Sequence, residues 1–313
     1  SFGWAMNAGS YALGAMAAKV TQKPVALHID YSQFMAFSGK RSPAYMNGSL
    51  SCDENGMITA GQFDVGLDHG SYHELGDDKL MRISRFMFFP YYIPNALGVS
   101  RVAITNHAFG TAYRGYGAPQ AFTCGEALID MLAEKAGIDP FEFRYKNIAR
   151  PGQDNLNQVP FLQYPMEAIM DKMKPMYDEA VKKADEFNAS SDGSVRRGVG
   201  LAWGGYTVGL GAVDEASVAI ELRPDGKFTK YDTWQDQGQG GDAGSLICMI
   251  QALREYFPDV TPDDIRLVQA DTKLCPNTGE SAGSRSHFAN GKASILAAKN
   301  LANAMRKEDG TYR

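Results

Sequence analysis

Four glycine-containing loops, each running directly into a helix-forming stretch, constrain this chain more than any other feature. They are Ser1 to Gly9, Thr111 to Gln120, Asp236 to Gly244 and Ser281 to Ser286. The first turn of a helix presents backbone N–H groups without intrahelical partners, together with the positive end of the macrodipole. Glycines just before it let the backbone take positive φ and approach a ligand closely. The combination makes an anion cradle. Any single loop is explained as well by a tight turn, since glycine is a default turn residue. Four loops, two of them carrying Arg114 or Arg285, bring the alternative level: one extended, multiply anionic ligand held largely by main chain. None has the Gly-x-x-x-x-Gly-Lys-[Ser/Thr] of a phosphate loop. None is a Gly-x-Gly-x-x-Gly placed after a strand with its acidic partner, so triphosphate and NAD readings are weak.

The remaining composition narrows the classes. The 313 residues carry a net charge of −5, with no polybasic patch for nucleic acid or an anionic membrane, and no apolar run of membrane-spanning length. The opening Ser1-Phe2-Gly3-Trp4 has neither an initiator Met nor a basic stretch, which points to an internal piece without a signal peptide. Cys52, Cys124, Cys248 and Cys275 are scattered without Cys-x-x-Cys spacing, so structural zinc and iron–sulfur ligation are unsupported, and buried thiols in a reducing, cytoplasmic setting are expected. His69 and His73 are four apart but lack the glutamate of a zinc helix. The aromatic run from Phe86 to Tyr92 reads as core more readily than as a substrate tunnel.

Periodicity predicts a mixed α+β (α/β) chain in two lobes, with mixed sheets and helices. A buried helix over 10–20 precedes a strand over 24–31. A hairpin pairs 48–52 with 57–67 across Asn55-Gly56, and a strand follows over 99–106. Helices are expected over 119–135, stopped by Gly137, and from Asp139-Pro140. The breaker-rich stretch 150–157 is the expected boundary, giving lobes 1–157 and 158–313. The second lobe reads as helix 165–187, strand 198–206, hairpin 216–222 with 227–234, helix 243–256, strand 265–270 and helix 289–305.

The segment Thr111-Ala112-Tyr113-Arg114-Gly115-Tyr116-Gly117-Ala118-Pro119-Gln120 resembles the Ala-Phe-Arg-Gly-[Phe/Tyr]-Gly-x-Pro-Gln motif of the molybdenum hydroxylases, the xanthine oxidase and aldehyde oxidoreductase family. Ser1-Phe2-Gly3, Gln237-Gly238-Gln239-Gly240 and Ser281-Ala282-Gly283-Ser284-Arg285 are similar to the family's other loops, in its order. Gly39 to Pro43, Met131 to Pro140 and Arg144 to Asn147 look like the aldehyde oxidoreductase branch, and the resemblance covers essentially the whole chain.

The resemblance implies molybdenum held by the dithiolene of a pterin cofactor, molybdopterin or its cytosine dinucleotide, bound between the lobes and without a protein metal ligand. It implies oxidation of an aldehyde to a carboxylic acid with water as the oxygen source, or hydroxylation of a purine or another N-heterocycle. Iron–sulfur and possibly FAD groups on other domains or subunits would carry the electrons away. By motif, Phe2, Gly3, Ala112, Tyr113, Arg114, Gln237, Gly238, Gln239, Gly240, Gly283, Ser284 and Arg285 would contact the cofactor. Arg114 would also act in catalysis, and Tyr116 and Arg82 would border the substrate. The family's C-terminal general-base glutamate has no counterpart here, nor has its upstream Gly-Gly-Gln region. The chain is therefore expected to work with the remaining part of its molybdenum subunit; a cofactor-binding or assembly fragment without activity is the alternative.

Overall fold

A computed structural model describes residues 8–72, 75–156, 158–161, 164–208, 214–269 and 271–311. Its contacts divide the chain into two compact units, one ending at Tyr206 and the other starting at Thr207.

In the first unit, helices α1 (Ala8–Thr21) and α2 (Tyr31–Phe37) precede the antiparallel hairpin β1 (Ala44–Cys52) and β2 (Ile58–Gly70), whose register runs from Ala44 opposite Leu67 to Cys52 opposite Ile58. Asp53 builds the turn by accepting from the N–H groups of Asn55 and Met57, and Gly56 takes φ +79°. Helix α3 (Gly76–Phe86) then leads to β3 (Ala96–Ile104), which runs parallel to β2. Strand β2 alternates, so Phe63, Val65 and Leu67 face one side and are buried under α3 and α4 (Ala118–Ala136). Helix α4 ends on Gly137 in the left-handed conformation, and Asp139 caps α5 (Pro140–Asn147) through the N–H groups of Phe141 and Glu142. Helix α6 (Met166–Ser190) buries Met166 and Met170 in the same core as Ile83, Phe86, Phe88, Ile129, Phe141 and Phe143.

The second unit is smaller. Strands β4 (Ala219–Leu222) and β5 (Phe228–Asp232) form an antiparallel pair, and β6 (Ile265–Gln269) lies parallel to β5. Helices α7 (Gly241–Arg254) and α8 (Gly291–Met305) supply Met249, Leu253 and Ala298 to a core with Phe228, Val260 and Ile265. Among the described residues no helix is long and apolar enough to cross a membrane.

Several elements differ from the sequence reading. Residues 24–30 form no strand: the Asp30 carboxylate accepts the Gln33 N–H at 2.7 Å and Gln33 Oε1 accepts the Asp30 N–H at 3.1 Å, a capping box that starts α2 instead. Helix α3 lay in a stretch with no assigned element, because its buried face mixes Leu80, Ile83 and Phe86 with buried Lys79 and Arg82, which blurs the apolar stripe. Residues 198–206 are irregular, with the Trp203 N–H paired to the Glu126 carboxylate at 2.9 Å rather than to a strand. The first compact unit runs to Tyr206 and has Met166 and Met170 of α6 in its core. The aromatic run is core: Phe86, Met87 and Phe88 are at most 1% exposed.

Candidate cofactor cradle

In the first unit the loop before α4 is built from three successive positive-φ residues, Gly115 (+93°), Tyr116 (+35°) and Gly117 (+89°). Tyr116 is the notable one, since a side chain pays strain there unless its surroundings hold it. Its hydroxyl donates to the Leu75 carbonyl at 3.1 Å, and burial, followed by the neighbouring Asp78 carboxylate, pushes its phenol far above the usual range. Gly117 is the N-cap of α4, with no side chain bonding to the first turn. A Cβ there would sit 3.0 Å from the Lys79 carbonyl, so α3 is packed directly against the cradle.

A second layer sets this loop. Lys40 N–H donates to the Phe109 carbonyl at 3.0 Å and Thr111 N–H to the Lys40 carbonyl at 3.1 Å. The Arg41 guanidinium lies 5.1 Å from the Tyr113 ring centre and donates to the Arg114 carbonyl. Below, the buried Lys79 ammonium donates to Ser42 Oγ at 2.9 Å, and Ser42 Oγ is 3.1 Å from His69 Nδ1. His69 is thus a fully buried structural histidine; His73 lies outside the described residues. Gly110 has no room for a side chain, because a Cβ would meet Ser42 Oγ at 2.0 Å. Ala112 and Tyr113 are half-buried and the Arg114 side chain is exposed. Arg82 is 8% exposed, bonds Tyr206, and leaves its Nε buried without a partner. Phe86 stacks on Tyr206 with ring centres 5.0 Å apart. Arg82, Tyr116 and Tyr206 therefore share one neighbourhood, with Asp78 at its edge.

The second unit brings its two expected loops together. Gln235 N–H donates to Ser281 Oγ at 3.2 Å, and Ser281 N–H donates to Gln235 Oε1 at 2.9 Å. Gly238 (φ +92°) and Gly240 (φ +83°) shape the loop into α7, with Gly240 as N-cap. The Asp236 carboxylate accepts from the N–H groups of Gly238 at 2.7 Å and Asp242 at 3.2 Å, which holds it below the usual carboxylate range. The Gln239 amide folds back, accepting from the Gln237 N–H and donating to the Gln235 carbonyl at 2.8 Å. In the partner loop Gly283 (+55°) and Ser284 (+60°) are successive left-handed residues, and the Arg285 N–H donates back to the Ala282 carbonyl at 3.0 Å.

Arg285, which its motif places at the cofactor, is held by its own loop. It is 3% exposed, and its Nε donates to Asp214 at 2.8 Å while Nη1 donates to the carbonyls of Thr278 (2.8 Å) and Glu280 (3.0 Å). Gly279 (φ +73°) makes room, since a Cβ would lie 2.4 Å from Arg285 Nη1. The side chain bolts the loop from within. Under both loops the fully buried Lys230 and Asp232 are paired at 3.1 Å, with Ser245 of α7 bonded to both. Burial pulls the Lys230 ammonium down, and Asp232 opposes the shift. Trp234, 6% exposed, leaves its indole Nε1 buried and unpartnered.

Phe2 and Gly3 lie outside the described residues. Neither of two surface grooves, one at Asp139 and α6 and one across residues 49–51, 60–62 and 95–97, reaches these loops. The sequence reading did not single out Arg41, Tyr206, Trp234 or Asp236. Arg41 stood in a quoted motif and Asp236 opened a cradle loop; nothing in local pattern marks the other two.

Two molybdopterin cofactor-binding domain models match, over residues 1–148 and 172–312. The stretch left between them contains residues 150–157. The chain is 39% identical over all 313 residues to an aldehyde oxidoreductase of Megalodesulfovibrio gigas, and 27% identical over 90% of its length to one subunit of a probable xanthine dehydrogenase of Bacillus subtilis. It superposes over its whole length, at 38% identity and a TM-score of 0.88, on the aldehyde oxidoreductase of Desulfovibrio desulfuricans. It spans 34% of the aldehyde oxidoreductases and 36% of the Bacillus protein. These matches place this chain in the molybdopterin cofactor-binding domain family, as a region homologous to the molybdenum-dependent aldehyde oxidoreductases and xanthine dehydrogenases.

Proposed function

We propose that the chain is the cofactor-holding part of a molybdenum hydroxylase that oxidises an aldehyde to a carboxylic acid with water as the oxygen source. The observation that carries this reading is the donor set. Within each unit, positive-φ turns at Gly115–Gly117 in the first and at Gly238, Gly240 and Gly283–Ser284 in the second let the main chain approach an anionic ligand closely. The orphaned Arg82 Nε and Trp234 Nε1 add buried polar atoms that want acceptors. The residues present therefore fit the group. When bound, the molybdenum–pterin group supplies the two-electron redox chemistry and a Lewis-acidic centre.

This chain's own residues would bind and orient. Ala112, Tyr113 and Arg114 would lie against the pterin, with the exposed Arg114 cation placed to stabilise negative charge that develops in the reaction. Gln237, Gly238, Gln239 and Gly240 would line the cofactor, Gly283 and Ser284 would hold its anionic oxygens through backbone N–H groups, and Arg285 would keep that loop in shape. Tyr116 and Arg82 would border the substrate. Phe2 and Gly3 keep the role their motif implies. The cytosine dinucleotide form of the cofactor, iron–sulfur and flavin groups on other domains or subunits, and a cytoplasmic setting belong to the same proposal, the last supported by four free cysteines. Higher identity to an aldehyde oxidoreductase than to xanthine dehydrogenases favours an aldehyde over a purine.

The test uses the full-length subunit in its complex. Stoichiometric molybdenum and turnover of benzaldehyde but not hypoxanthine are expected. Absence of molybdenum removes the enzyme reading, and the reverse substrate preference moves it to the heterocycle class.

A further inference from the structure

The segment after α2 lies against the start of the first cradle loop closely enough to exclude a side chain at Gly39, where a Cβ would meet Thr111 Cβ at 2.6 Å. Main-chain bonds tie Lys40 to Phe109 and Thr111. The Lys40 ammonium turns back to the end of α2, donating to the carbonyls of Phe34 at 3.0 Å and Ser38 at 3.1 Å and to Ser38 Oγ at 2.8 Å. Ser42 is fixed by the buried Lys79 and His69, and its carbonyl accepts from Gln120 Nε2 at 3.2 Å. Lys40 and Ser42 are thus committed elsewhere, and the side chain between them is the one that enters the loop.

The half-buried Arg41 guanidinium lies over the Tyr113 ring, donates to the Arg114 carbonyl, and has Nη1 3.8 Å from where a Cβ at Gly115 would stand. Among the described residues no carboxylate pairs with it; burial lowers its pKa from the ordinary value, and Tyr113 opposes the shift. Taking a charge partly out of water without a counter-ion is unfavourable, and a ring face with one carbonyl offsets only part of that. What the arrangement gains is geometry. The peptide from Arg114 to Gly115 is gripped where the chain enters three positive-φ residues, the second of them Tyr116 at +35°. A side chain stays in that region only when its surroundings over-determine it. We propose that Arg41 is a positioning residue for the reaction: by holding the Tyr113 ring and the Arg114 main chain it aims the exposed Arg114 guanidinium, and it acts on turnover only through Arg114. The proposal rests on the reading of Arg114 given above.

Arg41→Met in the full-length subunit keeps an apolar stem beside Tyr113 and removes every donor. Amide hydrogen exchange in a peptide covering residues 111–118 should be about tenfold faster than in wild type, with β1 and β2 unchanged, because the opening is local. Turnover of benzaldehyde should fall on the order of tenfold through kcat, with KM within about twofold of wild type, as expected when a group that acts in the transition state is misplaced. In an Arg114→Ala background the same change should cost no more than about twofold further, because residues that act through one another are not additive. Unchanged exchange in the loop overturns the proposal, and so do losses that multiply in the double variant; both leave the reading of Arg114 intact. Wild-type turnover by Arg114→Ala alone defeats that reading instead. If Arg41→Met does not fold, Arg41→Gln is put through the same exchange and kinetic measurements, with the same outcomes deciding.

Discussion

Arg114 and Arg285 stand in corresponding places, each in a glycine loop that opens a helix, yet their guanidinium groups face opposite fates. Arg285 is buried, ion-paired to Asp214 and bonded to three carbonyls, including that of Glu215. Arg114 is exposed, and its carbonyl accepts from Arg41. A motif records the residue type and not the direction of the side chain, so both arginines read alike until the loop folds. The difference has a measurable consequence. Arg114→Ala should leave the melting temperature within about 1–2 °C of wild type, since exposed substitutions change stability by about 0.5 kcal/mol or less. Turnover by the full-length subunit should fall on the order of 10²-fold, as when a preorganised group facing developing charge is lost. A large drop in melting temperature instead would assign Arg114 to holding the loop.

At the scale of elements, the cradles depend on how helices are seated, and in the first unit that seating is ionic. Glu126 of α4 accepts from Arg144 of α5 at 3.0 and 2.9 Å, from the Tyr91 hydroxyl at 2.6 Å and from the Trp203 N–H at 2.9 Å. Arg144 also reaches Asp130 at 2.8 Å. The Arg144 side chain is fully buried and that of Glu126 is 9% exposed. Removing one partner strands the other, so Arg144→Ala should cost about 3–5 kcal/mol in urea unfolding. The additional change Glu126→Gln should recover part of that loss; a single variant costing under about 1 kcal/mol would show that the network does not seat the helices. Burial, followed by the Glu126 carboxylate, raises the Tyr91 phenol well above its usual range, so the hydroxyl stays a donor throughout the physiological pH range.

The helices that carry the loops were largely legible in the chain: α1, α4, α5, α6, α7 and α8 all follow from capping residues, glycine stops and apolar spacing. The hairpin of β1 and β2 follows from Asn55-Gly56 between alternating runs. Helix α3 was not legible, because burial of Lys79 and Arg82 beside Leu80 and Ile83 breaks the pattern that a solvent-facing helix shows. The strand expected at 24–31 failed for a related reason. Its residues have strand propensity, but among the described residues no strand pairs with them, and the local capping of Asp30 wins.

For the molecule as a whole, two separate cores mean two separate sources of stability. One gathers Phe63, Phe86, Phe141 and Ile129, the other Phe228, Met249, Leu253 and Ile265. Units with their own cores unfold as units. Calorimetry of this chain should resolve two transitions, with the smaller unit, from Thr207 onward, melting at the lower temperature. One symmetric transition whose calorimetric and van't Hoff enthalpies agree would contradict this.

The sequence by itself determined the helix-opening glycine loops and the two-part mixed fold, because these depend on local rules: left-handed turns need glycine, and helix starts need caps. Tertiary structure decided which polar groups are spent and which remain available. Arg285 is consumed in its own loop, Asp236 in the turn before α7, and Lys230 in a buried pair, whereas Trp234 Nε1 and Arg82 Nε stay unmatched. Whether a donor is satisfied depends on partners brought close only when the chain packs, 71 residues away for Arg285 and Asp214, and no local pattern carries that information.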